Sequence, residues 1–371
     1  MTTSLELRSL IKSSGALELS LLPVPIREPG PDEVVVEVQA TPINPSDLGL
    51  LLGPADPRSA TRTGDVVTLS VPEGMMRAVT PRIDQSMPVG NEGAGKVVQA
   101  GSSPAAQALM GKTVAMLGGA MYAQHRTMRA ADVVPLPDGT SAAEGASAFV
   151  NPMTALAMVE TLRREGHTAL VHTAAASNLG QMLVKLCLAE EISLVNVVRS
   201  AEQEKLLRDL GATHIVDSTS QTFTRDLIAA LTETGATLAF DAIGGGKIAG
   251  QILAAMEVAA VSKMTSYSRY GSPTHKQVYI YGMLDTGPTE LPRSVGLAWS
   301  VSGFLLTYFL QKLPPADVGR LRHRVVSELK TTFTSHYSEV ISLSEVLSPE
   351  VMARYAKRAT GEKFLIDPSR G

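Results

Sequence analysis

The stretch LVHTAAASNLGQM, residues 170–182, decides the fold. The apolar run at 168–174 predicts a strand, and LGQMLVKLCLAE predicts a helix that begins near Leu179, with a tight turn between them. This arrangement gathers unpaired backbone N–H groups at the positive end of a helix dipole, which suits a pyrophosphate. The turn holds one glycine, Gly180, so alanine, serine and asparagine have to supply the small side chains that let a phosphate approach. On the motif alone, plain close packing of helix on strand explains the same residues.

Strand and helix patterns alternate from residue 152 onward, which is typical of a parallel sheet covered by helices on both faces. Gly211 follows the run AEQEKLLRDL and is expected to end that helix as its C′ residue. The apolar segment 295–310 is shorter than the roughly 20 residues of a membrane span and holds glycines and serines, so we expect a buried segment there. The further strands are predicted at 193–199, 214–218, 237–243 and 278–283.

The preceding part of the chain carries short strand patterns interrupted by proline and glycine, such as LELRSLI, LELSLLPVPI and EVVVEVQATPI within residues 5–48. GAGKVVQAG, KTVAMLG and DVVPLPDG continue this pattern. We therefore predict an all-β, largely antiparallel lobe, which the last strand pattern, EKFLID at 362–367, is expected to rejoin.

Composition limits the classes of partner. The 371 residues favour about two domains, and 44% hydrophobic with 19% charged residues is ordinary for a globular protein. A net charge of −3 without runs of one sign indicates neither nucleic acid nor membrane, so a small-molecule substrate is expected. The single cysteine, Cys187, excludes an intrachain disulfide and favours a reducing, cytoplasmic location. The N-terminal residues show no signal-peptide pattern, which agrees with that location.

A basic residue stands where a dinucleotide-binding protein often carries an acid. Arg199 follows Gly180 by 19 residues, about the spacing at which an acidic side chain would bind the adenine ribose 2′-hydroxyl. Arg199 and Ser200 instead offer a guanidinium and a hydroxyl, which suit a 2′-phosphate, so NADPH is favoured over NADH. A solvated surface arginine is the alternative.

Four segments together resemble one known family: LLPVPIREPGPDEVVVEVQATPINPSD, VGNEGAGKVVQAG, AFVNPMTALAMVE and NVVRSAEQEKLLRDLGATHIVDS. This is the medium-chain dehydrogenase/reductase superfamily, in its zinc-free quinone oxidoreductase and trans-2-enoyl reductase branch. The resemblance spans nearly the whole chain. It implies an α/β protein with a GroES-like β-rich catalytic domain at 1–148 and 308–371. A Rossmann domain, a doubly wound parallel sheet that binds NADPH, is implied at 149–307.

The resemblance also implies which residues bind the cofactor. Contacts are implied for Asn151, Thr154, Ala176, Ser177, Asn178, Leu179 and Gly180, with Arg199 and Ser200 at the 2′-phosphate. The residues implied to line the nicotinamide are Tyr281, Gly282, Met283, Leu284, Phe304, Leu305 and Leu306, with Lys363 nearby. For the apolar residues at strand ends, core packing is the alternative explanation.

No metal is expected. Zinc dehydrogenases of this fold hold catalytic zinc through cysteine and histidine, but this chain has one cysteine and its seven histidines show no paired ligand spacing. Cys187 falls within a predicted helix, where packing explains it better than catalysis. A zinc-type alcohol dehydrogenase is therefore the least favoured interpretation.

The expected reaction is hydride transfer from NADPH to an activated C=C bond (enone, enal or enoyl thioester) or to a quinone. The enoyl reductase subgroup carries a tyrosine proton donor eleven residues after the asparagine of NPSD, and counting from Asn44 reaches Ala55. This departure leaves quinone reduction and protonation from water open, as well as a non-catalytic NADPH-binding protein. Asn44 and Tyr122 are the catalytic candidates: Asn44 could orient a carboxamide or a carbonyl, Tyr122 could equally pack, and Asp47 could cap a short helix.

Two segments exceed the family pattern, at 54–89 and 257–277. Long connections are often lids, so Met75, Met76, Arg77 and Arg82 could line a substrate pocket, and the second segment could cover the cofactor or pack against a partner. A solvated loop is the alternative for both. A homodimer is expected from the resemblance.

Overall fold

The computed structural model describes residues 3–370, which fold as two compact units. The β-rich unit runs up to Val150 and resumes at Arg322, and the α/β unit is formed by Asn151–Leu321. Within residues 3–370, no helix combines the length and the apolar character needed to cross a bilayer.

The β-rich unit opens with strands whose side chains alternate between core and surface. The strands up to Val150 are β1 (Thr3–Ile11), β2 (Ala16–Pro25), β3 (Glu33–Pro42), β4 (Thr61–Thr63), β5 (Val66–Ser70), β6 (Ser86–Pro88), β7 (Glu92–Ala100), β8 (Thr113–Leu117), β9 (His125–Arg129) and β10 (Val133–Pro135). The short helices between them are α1 (Pro45–Leu51), α2 (Glu73–Met76), α3 (Pro104–Gln107) and α4 (Ala142–Gly145). The predicted antiparallel strands at the N-terminus are confirmed by the pairing of β1 with β2.

One sheet of this unit has the order β4-β5-β2-β1-β6. The segment 54–89 supplies three of its strands, so the expectation of a lid or a solvated loop is wrong for that part: Val67 and Leu69 of β5 are buried in the core beside Leu17 and Leu19 of β2. Burial of these apolar side chains is what fixes the segment on the sheet.

Arg82 points inward rather than towards a substrate pocket. Its Nη2 atom donates to the Leu50 carbonyl at 2.5 Å and to Ser9 Oγ at 2.6 Å. Because Leu50 lies in the last turn of α1, the guanidinium pairs with a carbonyl that the helix leaves unsatisfied and complements the negative end of the helix dipole. Arg82 therefore ties the 3₁₀ turn Arg77–Arg82 to α1.

The α/β unit alternates helices and parallel strands. Its helices are α5 (Val150–Arg164), α6 (Asn178–Ala189), α7 (Ala201–Asp209), α8 (Phe223–Thr234), α9 (Ile248–Val261) and α10 (Leu306–Gln311). Its strands are β11 (Ala169–His172), β12 (Ser193–Val198), β13 (His214–Asp217), β14 (Leu238–Asp241), β15 (Gly244–Gly246), β16 (Lys276–Ile280), β17 (Asp285–Thr289) and β18 (Trp299–Gly303). All five predicted strands are confirmed, and Gly211 lies just after α7 with a φ of 98°, as its expected C′ role requires.

The main sheet of this unit has the order β13-β12-β11-β14-β16-β18, with every pair parallel. The chain moves outward from β11 to β13, then crosses back to β14 and moves outward in the other direction. The strand order therefore reverses between β11 and β14. In open parallel sheets, ligands bind beside the carboxyl ends of the strands at this reversal.

The segment 295–310 differs from its prediction as a buried stretch. It forms the edge strand β18 and the start of α10, with Trp299 and Val301 half-buried against the core. Leu297 is 73% exposed and Tyr308 is 64% exposed. The prediction is wrong for these side chains because an edge strand covers the core with one face only.

A buried ion pair joins the two ends of the segment 257–277. Glu257 of α9 accepts from Lys276 Nζ and from the Ser272 backbone N–H, the latter at 2.8 Å, and both charged side chains are buried. The loop therefore returns to α9 before β16 begins, although Tyr267 at its tip is 92% exposed. A buried pair of this kind fixes one chain path because separating the two charges would leave one uncompensated.

The chain ends with α11 (Pro315–Ser327), β19 (Glu339–Ile341), α12 (Leu343–Val346), α13 (Pro349–Tyr355) and β20 (Phe364–Ile366). β20 pairs antiparallel with β3 and parallel with β19, which completes the second sheet of the β-rich unit, β10-β8-β7-β3-β20-β19, with β9 also on β3. The prediction that EKFLID rejoins the β lobe is confirmed.

Candidate functional site

The predicted phosphate-binding turn after β11 is a tight strand-to-helix turn. Ser177 is the N-cap of α6, and its hydroxyl accepts the Gly180 backbone N–H at 3.1 Å. Ala174 has a φ of 51°, a left-handed conformation that turns the chain sharply. A Cβ added to Gly180 would lie 2.1 Å from the Ala175 carbonyl oxygen, so this position requires glycine. The N-terminus of α6, the positive end of its helix dipole, thus lies next to a turn of small side chains.

The predicted contact residues around this turn differ in exposure. Ala176 and Leu179 are buried and Asn178 is half-buried. On α5, Asn151 is half-buried and Thr154 is buried. Ala176, Leu179 and Thr154 therefore shape the surroundings through packing and backbone, while Asn151 and Asn178 are only partly buried.

The strand ends at the reversal are joined by a buried hydrogen-bond network. Thr173 Oγ1 donates to Asp241 Oδ1 at 2.6 Å and accepts from the Ala242 N–H at 2.8 Å. The Asp241 carboxylate also accepts the N–H groups of Ile243 and Gly244 at 3.0 and 3.1 Å. Thr173 and Asp241 were not among the site residues predicted from the sequence, although polar residues directly after buried strand residues are a recognisable signal.

The end of β12 carries the predicted 2′-phosphate residues. The Arg199 guanidinium is exposed, and within residues 3–370 it has no hydrogen-bond or ion-pair partner. Ser200 is the N-cap of α7, and its hydroxyl accepts the Gln203 N–H at 3.3 Å. Hydrogen bonding from Ser200 also lowers the pKa of the Glu202 carboxyl. Arg199 is thus free to bind an anion, whereas Ser200 is already engaged and has an acidic neighbour.

Tyr281 follows β16 and directs its hydroxyl into the unit. His172 Nε2 lies 2.7 Å from the Tyr281 hydroxyl, and the two rings stack at 5.8 Å with an interplanar angle of 17°. Burial lowers the pKa of His172 to about 3 and raises that of Tyr281, so both groups are neutral. The Tyr281 hydroxyl is therefore engaged with His172 inside the unit.

The other residues predicted beside the nicotinamide divide into packed and exposed groups. Phe304 packs edge-on against Phe240 at 5.1 Å and Tyr279 at 5.6 Å. Gly282 approaches Ala242 so closely that a Cβ would lie 2.4 Å from its carbonyl oxygen. The exposed members are Met283 (74%), Leu305 (52%) and Leu284 (43%), while Leu306 is half-buried.

The β-rich unit contains a buried polar cluster at the start of α1. The Asp47 carboxylate accepts the backbone N–H groups of Asn44 at 2.8 Å and Asn91 at 2.9 Å, so its predicted capping role is confirmed. Burial raises the pKa of Asp47 to about 7. Glu92, which the sequence analysis missed despite its GNEG motif, accepts from Asn44 Nδ2 at 2.8 Å.

Tyr122 serves packing inside this cluster. It is fully buried, its hydroxyl donates to the Pro42 carbonyl at 3.1 Å, and burial raises its pKa well above the usual value. Ala55, where a tyrosine donor was expected, is a buried member of the same core. Neither position presents a phenol to solvent.

Lys363 lies just before β20 and belongs to a series of hydrogen-bonded polar side chains. Its Nζ atom donates to Ser147 Oγ at 2.8 Å, and Ser147 Oγ lies 2.9 Å from the Tyr337 hydroxyl. Burial lowers the pKa of Lys363 to about 8, against the opposing effect of the Glu92 and Asp47 carboxylates. A lysine with a pKa this close to neutral can change charge near physiological pH.

Metal-ligating side chains do not gather within residues 3–370: no group of three or more His, Cys, Asp or Glu residues is placed to hold an ion. Cys187 is buried in α6, and burial raises its pKa, as expected for a packing residue.

Two family profiles match the chain. The alcohol dehydrogenase GroES-like domain matches residues 30–138, and the zinc-binding dehydrogenase domain matches residues 179–279. Among curated proteins, prostaglandin reductase-3 of Mus musculus is 25% identical over 79% of this chain and 69% of its own length. The mitochondrial enoyl-[acyl-carrier-protein] reductase of Xenopus tropicalis is 29% identical over 53% of this chain, which spans about half (51%) of that relative.

Among solved structures, a protein from Mesorhizobium loti with the provisional name NADPH:quinone reductase is 25% identical, covers 99% of both chains and superposes with a TM-score of 0.74. The two matched domains lie in the β-rich and α/β units described above, in the same order along the chain. The chain therefore belongs to the medium-chain dehydrogenase/reductase superfamily.

Proposed function

We propose that this protein is an NADPH-dependent oxidoreductase that reduces an activated C=C bond or a quinone by hydride transfer without a metal. The observation that carries the proposal is the tight connection from β11 to the Ser177 N-cap and first turn of α6, located where the strand order of the sheet reverses. Relatives named as prostaglandin, enoyl and quinone reductases support the class of reaction.

The residues fit a dinucleotide. The pyrophosphate would lie over the N-terminus of α6, where Gly180 leaves no Cβ between the backbone and the turn. The 2′-phosphate would pair with the free Arg199 guanidinium, which favours NADPH over NADH. The Ser200 hydroxyl would have to give up its hydrogen bond to Glu202 to contribute, so we assign the larger share of the selectivity to Arg199.

When bound, NADPH supplies the hydride. The chain's own residues bind and orient: the amides of α6 and Arg199 hold the phosphates, and the network of Thr173 with Asp241 keeps the two strand ends at a fixed spacing. The neutral pair of His172 and Tyr281 fixes an aromatic ring at the same edge of the sheet. Because Ala55 has no phenol, we propose that the proton needed at the α-carbon of a reduced enone comes from water.

Metal independence is part of the proposal. It is supported by the single cysteine of the sequence and by the lack of a three-ligand cluster across residues 3–370. Metal analysis of the purified protein tests it: about one equivalent of zinc that is required for turnover would contradict it.

A non-catalytic NADPH-binding protein is the second candidate, and one observation favours it: the position expected to hold a proton donor is the buried Ala55. Turnover of any enone, enal or quinone would remove this candidate. A homodimer and a cytoplasmic location remain proposals, for which sedimentation and cell fractionation are the tests.

The first test of the proposal is binding. NADPH fluorescence should change on titration with the purified protein and saturate at one equivalent per chain, with weaker binding of NADH. No change with either cofactor would contradict both candidates.

A further inference from the structure

His172 and Asn196 lie directly opposite each other on neighbouring strands of the α/β unit. They are register partners of the parallel strands β11 and β12, so their side chains project from the same face of the sheet. Both side chains are buried. Within residues 3–370, His172 Nδ1 and Asn196 Oδ1 have no hydrogen-bond partner. Buried polar atoms without a partner are uncommon in folded proteins, so these two atoms on adjacent side chains require an explanation.

The other polar atoms of the two side chains determine where the unpaired atoms point. His172 Nε2 lies 2.7 Å from the hydroxyl of Tyr281, which follows β16 on the side of β11 away from β12. The two ring nitrogens point in widely different directions, so Nδ1 is directed towards β12. Asn196 Nδ2 donates to the Leu194 carbonyl at 3.1 Å and to the carbonyl of His214, on the far neighbour β13, at 3.3 Å. Asn196 Oδ1 is therefore directed back towards β11.

These contacts decide which nitrogen of His172 carries the proton. Burial lowers the pKa of His172 to about 3, so the ring is neutral and has a single N–H group. A proton on Nδ1 places a donor opposite the Asn196 carbonyl oxygen, and Nε2 then accepts from the Tyr281 hydroxyl. A proton on Nε2 would place two acceptors opposite each other and would leave the Tyr281 proton without an acceptor within residues 3–370. The first arrangement satisfies every one of these buried groups.

We propose that Asn196 is a positioning residue whose side-chain carbonyl oxygen holds the His172 proton on Nδ1, so that the Tyr281 hydroxyl donates to Nε2. The orientation of the Asn196 carboxamide is determined by the two backbone carbonyls, which can only accept. Both of its bonds to them are long, so the carboxamide can rotate slightly towards His172 without losing them.

This direction of the hydrogen bonds limits what Tyr281 can do. Its hydroxyl proton is directed towards His172 inside the unit and is not offered to a ligand. The consequence rests on the proposed function, because it concerns the source of the proton in the proposed reduction. Tyr281 lies at the edge of the sheet where the nicotinamide is predicted, and Asn196 removes its phenol from the possible donors, which favours protonation from water.

Nitrogen NMR of the wild type tests the position of the proton directly. The protein is labelled with ¹⁵N-histidine, its ring nitrogens are observed by long-range ¹H–¹⁵N correlation at neutral pH, and His172 is assigned from His172→Gln. A protonated and an unprotonated imidazole nitrogen have clearly separated shifts. We expect the protonated type at Nδ1 and the unprotonated type at Nε2.

Two variants test whether Asn196 is the cause. Asn196→Leu keeps the size of the side chain and removes the acceptor, so we expect a mixture of the two tautomers, with the two nitrogen shifts moving towards each other. Asn196→Asp keeps an oxygen that accepts from Nδ1, whether its carboxyl group is charged or protonated, so Nδ1 should stay protonated. A merely space-filling role of Asn196 predicts wild-type shifts in Asn196→Leu as well.

Gln277→Leu is the matched control. Gln277 is a buried carboxamide of the same sheet that bonds to Val278 and Ser302 and not to His172. The substitution should lower stability and leave the His172 nitrogen shifts unchanged. If Asn196→Leu does not fold, Asn196→Ala replaces it, and the wild-type spectrum needs no variant at all.

The outcomes are distinguishable. Protonation of Nδ1 in the wild type, with its loss in Asn196→Leu and its retention in Asn196→Asp, supports the inference. A wild-type proton on Nε2 overturns it, and so do wild-type shifts in Asn196→Leu. A protein that neither binds nor oxidises NADPH overturns the proposed function, and with it the consequence for the proton source, but does not alter the nitrogen shifts.

Discussion

Gly180 lies so close to Ala175 that a Cβ on Gly180 would come within 2.1 Å of the Ala175 carbonyl oxygen. Because of this close approach, the first turn of α6 packs directly against the loop after β11. It explains how a segment with a single glycine could serve as the proposed phosphate-binding turn: the glycine is needed where helix and loop touch, and small side chains suffice elsewhere.

Replacing this glycine should damage both stability and binding. Gly180→Ala has to displace backbone, so we expect a loss of about 1–3 kcal/mol in the free energy of unfolding and a weaker affinity for NADPH. Urea denaturation and fluorescence titration measure the two effects. Gly319→Ala is the control, since a Cβ there meets nothing within 4 Å and an alanine in α11 should be neutral or slightly stabilising. Equal behaviour of the two variants would contradict the contact.

Arg199 should separate the two nicotinamide cofactors. Arg199→Ala removes a charged hydrogen-bond donor, and we expect the Kd for NADPH to rise by about 10- to 100-fold while the Kd for NADH stays within about twofold. Arg225→Ala, an exposed arginine of the same unit that pairs with Asp226, is the matched control. Parallel loss of both cofactors would show that Arg199 acts structurally.

His172 should make folding sensitive to acid. The pKa of His172 is about 3 in the folded protein, against an ordinary value of 6.5. Between pH 6.5 and about 3, the imidazole is therefore protonated in the unfolded chain but neutral in the folded chain. The free energy of unfolding should therefore fall by about 1.4 kcal/mol per pH unit from pH 6.5 towards pH 3 on this account. His172→Gln can still pair with Tyr281 but does not titrate, so its unfolding should lose this part of the pH dependence. Identical slopes for both proteins would exclude the buried neutral imidazole.

Lys363 should titrate closer to neutrality than an ordinary lysine because it is buried. Its pKa of about 8 lies below the usual 10.5, so between these two pH values the unfolded chain binds a proton at Lys363 that the folded chain does not. The free energy of unfolding should therefore gain up to about 1.4 kcal/mol per pH unit from this group as pH rises through that range, and Lys363→Met should lose this contribution. Urea denaturation between pH 7.5 and 10.5 measures both slopes, and identical slopes for the two proteins would contradict the lowered pKa.

The sequence pattern predicted the α/β unit well because its strands are continuous apolar runs between amphipathic helices. Both patterns depend only on residues close together in the chain. It missed β18 because Trp299 and Val301, which alternate with Ser300 and Ser302, lie within an apolar stretch that is typical of buried segments. It also missed that the segment 54–89 adds strands to a sheet, since pairing of β5 with β2 depends on residues far apart in the chain.

The site shows the same division. The turn, Arg199 and the position of Ala55 can be found by counting along the sequence. Glu92 cannot, because its partners Asn44, Phe149 and Lys363 come from distant loops, and only the fold brings them to one carboxylate. The same holds for His172, whose partner Tyr281 lies two strands away across the sheet.

The most direct test of the central claim is oxidation of NADPH, followed at 340 nm with purified protein and a panel of quinones, enals, enones and enoyl thioesters, with products identified by mass. We predict turnover of at least one class, dependence on NADPH rather than NADH, loss of activity at low cofactor concentration in Arg199→Ala, and no effect of a zinc chelator. NADPH that binds but is oxidised by no member of the panel, or turnover that stops when zinc is removed, would contradict the account.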